Sequence, residues 1–341
     1  MDTRPTRRGF TLLELILVIA LGAGLVGLLM PALGKARTSA RQIKCSTHVR
    51  GMHQGLVLFA QNNNEEYPLP SMLDKANHTV AVEEGASVGI KDQTKNIVSI
   101  LMFNAFFGPE LCVSPAESNP DIEMDKDYEY SEPEAAIDQR LALWDPRFRA
   151  TPGAAIQGAR AENKGHFSYA HSMPFGGRRK SWSNTFQATE AILGNRGPWY
   201  ELVGGAGGTW TLSKNKPVDA LDYPGAARAA TVSNTLLIHG GRTTWEGNIC
   251  YNDNHVGYHT QPDPDSSPLT FSGLPKSNNV RGDNLFADEH EKDRTPGPDS
   301  LVGDGPSTNV NGYLRSYSGG RASGTGKDAA MLDVKGAWFA D

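Results

Sequence analysis

At 341 residues the chain holds one large domain or two ordinary ones, and a hydrophobic content of 38% with 37 glycines and 21 prolines excludes a coiled coil or collagen in favour of a polar, turn-rich globular protein. A formal net charge of −5, with acidic and basic residues mixed, excludes the broad basic surface that nucleic-acid binding requires, so nucleic acid is not expected as a main partner. Three cysteines, Cys45, Cys112 and Cys250, are too few and too dispersed for a disulfide-dense scaffold or a zinc ribbon, and leave room for one internal disulfide at most.

The first element is apolar. Between Phe10 and Leu33 the only ionisable side chain is Glu14, and a run of that length spans a hydrocarbon layer as a helix. Ahead of it, MDTRPTRRG carries Arg4, Arg7 and Arg8, which favour the cytoplasmic side, although Lys35, Arg37, Arg41 and Lys44 beyond the run match them. The apolar run is too long for a secretory signal of about 7–15 residues. A plain membrane anchor is the competing expectation, and Glu14 argues against it, because a carboxylate four residues into a bilayer helix is costly and usually marks function.

The stretch RRGFTLLELILVIALGAGLVGLLMP resembles the leader and helix of type IV prepilins and type II secretion pseudopilins. The resemblance implies cleavage by a prepilin peptidase between Gly9 and Phe10, N-methylation of Phe10, an assembly role for Glu14, and a helix weakened at Pro31. Cleavage creates a cationic amine at membrane depth, and a neighbouring subunit's Glu14 would neutralise it, replacing two costly charges by one pair. Gly22, Ala23, Gly24 and Gly27 allow close approach of neighbouring helices, and Pro31 is expected to kink or melt the helix between Leu28 and Pro31.

Past Pro31, Ala36, Ala40, Ile43, Cys45, Val49, Met52, Leu56 and Phe59 recur at spacings that predict an amphipathic helix packed on a head. Asn62-Asn63-Asn64 followed by Pro68 ends it, giving one helix from Phe10 to Gln61, roughly 52 residues and about 78 Å long. The expected divisions are a leader over 1–9, a membrane or filament-core half-helix over 10–33, an amphipathic half over 34–62 and a β-rich head over 63–341. His48 and His53, five apart, do not share one helical face well and are expected to be solvated surface histidines.

Beyond Pro68, HFSYAHSM, TWTLS, NTLLIHG and NICYNDNHVGYH predict short antiparallel strands. The strongest hairpin runs from Asn248 to His259 around Asn252-Asp253-Asn254, residues that accept positive φ. NICYNDNHV and the preceding His239-Gly240-Gly241 resemble the NVLFADGHV hairpin of large H-X9-DG pseudopilin-like proteins, as does Cys45 to Pro70. Asn254 stands where that pattern has glycine, and 13 residues separate His239 from Asp253 where it has nine. DNLFADEHE, from Asp283 to Glu291, suggests a second related strand-turn unit. Glu117 to Glu134, Gln261 to Pro268 and Asp293 to Gly305 are expected to be exposed loops.

No HExxH, GxSxG or P-loop is present, and His239, Asp253 and His255 are weighed as a metal or catalytic group against the simpler role of Asp253 as a turn-former. Neither Asp263-Pro-Asp265 nor Asp299 to Asp304 has EF-hand spacing; no metal, cofactor or catalytic residue is assigned. Three cysteine pairings stay open, and the resemblance, whose members often carry a Cys-Pro-Ser-like segment after the helix, implies Cys45 with Cys112.

The expectation is thus an α+β, pilin-like subunit with a long N-terminal helix on an antiparallel head with extended loops. Its implied partners are the prepilin peptidase, identical or related pilin subunits, an inner-membrane assembly platform and, before assembly, the lipid bilayer. The alternative is a membrane-anchored extracellular hydrolase or carbohydrate-binding protein exported by the same signal.

Overall fold

Thr11 opens the first helix from extended backbone, φ −78° and ψ 152°, and α1 runs unbroken over Leu12–Gln61. The computed structural model describes residues 9–82, 91–153, 164–174, 176–215, 229–295, 309–322 and 334–338. Leader arginines Arg4, Arg7 and Arg8 and the 296–305 part of the third expected loop lie outside them. Pro31 sits inside continuous α1, so the expected melting near Leu28 to Pro31 does not occur; proline removes a single donor, and the hydrogen bonds on either side carry the helix past it. Asn64 and Glu65, at φ 55° and 62°, then turn the chain away, as the asparagine run anticipates.

From Cys45 onward α1 buries a residue every three or four positions: Cys45, Val49, Met52, Leu56 and Phe59. The buried stripe starts later than the pattern suggests, since Ile43 is 61% exposed and Ala36 and Ala40 are exposed too. Against it pack α3 (Thr94–Phe103) and α4 (Pro109–Cys112), with α2 (Pro70–Leu73) on α3 and the loop residues Trp144 and Phe148 in the same core. Gly55 permits the close approach, because a Cβ there would lie 2.8 Å from the Phe107 ring.

The central sheet is antiparallel throughout, in the order β6-β5-β2-β1-β9, built from β1 (Tyr169–Ser172), β2 (Ala191–Asn195), β5 (Gly247–Tyr251), β6 (Val256–His259) and β9 (Leu314–Arg315). Two-stranded ribbons are added by β3 (Tyr200–Val203) with β4 (Thr209–Leu212), β7 (Pro268–Thr270) with β8 (Val280–Gly282), and β10 (Tyr317–Ala322) with β11 (Val334–Trp338). Strand alternation sends Tyr169 and Cys250 toward the helices, and Ala170, Ile249 and Tyr251 to a second core with Trp245, Leu285 and Phe286. A register shift between Ala191 and Leu193 lets both Ile192 and Leu193 join the helix-side core. The fold is therefore α+β: one long N-terminal helix laid on an antiparallel sheet whose other face is covered by loops.

Three sequence expectations give way here. NTLLIHG is a 3-10 turn over Asn234–Leu237, because the Ser233 hydroxyl caps it by accepting from the Thr235 N–H. DNLFADEHE is a buried turn segment, closed locally as the Phe286 N–H donates to Asn284 Oδ1 and the Asn284 N–H to Glu289. The Glu117 to Glu134 stretch is not simply an exposed loop: the Glu117 side chain is 5% exposed and accepts two 3.0 Å bonds from Arg196 Nη2, while Asn119, Ile122, Asp125 and Tyr128 are buried.

Candidate functional site

Leu12 to Arg41 lies wholly outside the head. Its most apolar 18-residue window has a mean hydropathy of 2.6 with no residue buried, so α1 is long and apolar enough to cross a membrane. Gly9 and Phe10 precede it, both exposed, Phe10 by 80%. At the helix start, Glu14 and Thr11 form a capping box. The Thr11 N–H and hydroxyl each donate to Glu14 Oε2 at 2.9 Å, and the Glu14 N–H donates to Thr11 Oγ1 at 3.2 Å. The Thr-x-x-Glu spacing announces this box, and sequence reasoning passed over it by treating Glu14 only as a charge without a partner.

Where α1 enters the head, polar residues lock it to the β5–β6 turn. His53 is fully buried rather than solvated: its Nδ1 lies 3.1 Å from Asn254 Oδ1 and its Nε2 3.2 Å from the Tyr67 hydroxyl, which donates to Asn252 Oδ1 at 2.6 Å. Asn252 Nδ2 in turn donates to the Ser183 carbonyl, Thr185 Oγ1 and Glu190 Oε2, each at 2.8 Å. Burial holds the His53 imidazole below its usual pKa. Asn254 has φ 68°, the left-handed conformation in which the resembling pattern uses glycine. His48 is half-buried.

The thiols do not pair. Cys45, Cys112 and Cys250 are all free and buried, which overturns the expected Cys45–Cys112 disulfide. Their surroundings give the reason: Cys45 Sγ accepts from Asn195 Nδ2 at 3.3 Å and lies 3.6 Å from Ser114 Oγ, whereas Cys112 Sγ lies against Met102 Sδ at 3.7 Å. Burial pushes the Cys112 thiol well up and the Cys250 thiol to about 12, so both stay protonated and are poor nucleophiles and metal ligands.

His239, Asp253 and His255 are not brought together. His255 pairs with Asp253 in the exposed turn, while His239 packs edge-on against Tyr258 near the open end of the hairpin. Among the described residues no group of three His, Cys, Asp or Glu side chains is arranged to hold a metal. The arrangement is mechanical: an apolar rod with a capped end, held in a head through a hydrogen-bonded joint. No protein-family model, curated protein or solved structure matches the chain.

Proposed function

We propose that the chain is a pilin or pseudopilin subunit, cleaved after Gly9 by a prepilin peptidase, N-methylated at Phe10 and assembled through α1 into a type IV pilus-like or type II secretion filament. Before assembly it sits in the inner membrane with its N-terminus cytoplasmic, beside an assembly platform; afterwards it belongs to a periplasmic or extracellular filament. The observation that carries this is the division of α1: one unbroken helix, apolar and unburied over its first part and fixed in the head from Cys45 onward. Such a helix serves the bilayer first and neighbouring copies of itself later.

The capping box adds chemical support. It satisfies Glu14 within the subunit while keeping its carboxylate one residue from Phe10, where cleavage would leave a cation. N-terminal sequencing and mass analysis of the native protein test the proposal. The expected terminus is N-methyl-Phe10; an intact Met1 on the membrane-bound protein would reduce α1 to an ordinary anchor.

A further inference from the structure

Where β1 ends at Ser172, a cleft of about 180 Å³ opens in the head, remote from the projecting part of α1. At ~30 Å³ per water it has room for roughly six waters, the space of one small ring-shaped molecule. Its floor is held rigidly. Arg178, 2% exposed, donates through Nε to the Asn311 carbonyl at 2.6 Å and is ion-paired with Asp288, and Asn311 Nδ2 donates to Asp283 Oδ1 at 3.1 Å.

One group in the lining has nothing to bind. Ser172 is 4% exposed and its Oγ lacks any hydrogen-bond partner, a standing cost that a ligand hydroxyl would remove. At the mouth are Gln187 and Glu190, and next to Gln187 the 66% exposed Phe186 is held at φ 58°. A bulky side chain in that left-handed conformation is strained, and such strain collects where a side chain is displayed for use.

The lining also selects a chemical class. Glu190 and Asp283 oppose an anion, and Asp283 is buried against Glu289; burial raises both carboxyl groups and the Asp283 charge raises Glu289 further, which lowers the negative charge of the floor. Acceptors and donors share the lining with the apolar Ala191, Leu269 and Val310, which suits a neutral molecule with hydroxyls on its edge and C–H groups on its face. We propose that this cleft binds one residue of a neutral saccharide, its hydroxyls meeting Ser172, Glu190, Asp283 and Gln187, with Phe186, outside the lining but next to Gln187, offering an aromatic surface beside it.

The test uses the full chain in detergent, so its outcome does not depend on filament assembly. Glucose, galactose and N-acetylglucosamine are titrated by calorimetry and ligand-observed NMR, with inorganic phosphate as the anionic control. At least one sugar is expected to bind with a Kd in the millimolar range. Ser172→Ala and Glu190→Gln should each weaken it about fivefold or more, and Phe186→Gly should do so while keeping a cooperative melt. Absence of saturable binding by all three sugars, unchanged affinity in all three variants, or tighter binding of phosphate would overturn the assignment.

Discussion

In the proposed filament role Glu14 is the residue on which assembly would turn, and its local bonds sharpen what its loss should do. The carboxylate is already hydrogen-bonded to Thr11, so a lone subunit holds it at modest cost. Under the proposed processing, its further value would lie in pairing with an amine that exists only after cleavage. Glu14→Ala should therefore leave processing at Gly9 intact, weaken the helix start through the lost half of the capping box, and stop incorporation into filaments. Immunoblots of sheared filaments against whole membranes read this directly, and normal filament yield would refute the role. At the same scale Asn254 was legible, because asparagine in a turn between two strand-like runs announces positive φ. His53 was not, since its burial depends on Tyr67 and Asn254, 14 and 201 positions away, and no local pattern carries that information.

Elements were legible where one periodicity dominated. The apolar run with its asparagine terminus gave α1 to within a residue or two, and the Asn248 to His259 hairpin appears where expected, with Asn248 opposite Tyr258. The Asn234–Leu237 turn failed the same treatment because a serine cap outcompeted a strand-like composition. The two parts of α1 also respond differently to truncation. Leu56 is 3% exposed in the helix-side core, so Leu56→Ala should cost the head about 2–5 kcal/mol; Leu21 is 62% exposed, so Leu21→Ala should leave the head's melting temperature unchanged while weakening membrane retention. Parallel thermal melts and membrane flotation check both arms. Equal losses of head stability would mean that the projecting part of α1 is not independent of the head.

For the whole molecule, the decisive feature is a sheet covered on both faces, which removes the polar-apolar alternation that sequence patterns rely on and hides polar groups in the interior. His171 is one of them: fully buried, its Nδ1 2.8 Å from the Ser172 carbonyl and its Nε2 2.7 Å from Thr94 Oγ1, it is depressed by burial to about 4. Because the unfolded chain binds a proton near 6.5 and the folded one near 4, the His171 contribution is present above the unfolded pKa and is lost as pH falls through that window. It should amount to about 2–3 kcal/mol between roughly pH 7 and pH 4.5. Asp92, raised to about 6 by burial, works in the opposite sense, its stabilisation fading as pH rises from its unfolded value through about 6. His171→Gln should therefore shrink the drop in melting temperature on acidification; an unchanged drop would exclude the imidazole as its source. The unbroken passage of α1 through Pro31 has a mechanical corollary. A rod of 50 residues, about 75 Å long, has no slack with which to absorb tension, so a pull on its tip arrives as shear along the Cys45 to Phe59 stripe and at the His53 joint. The yield strength of the molecule would then be set by how firmly the head grips its own helix.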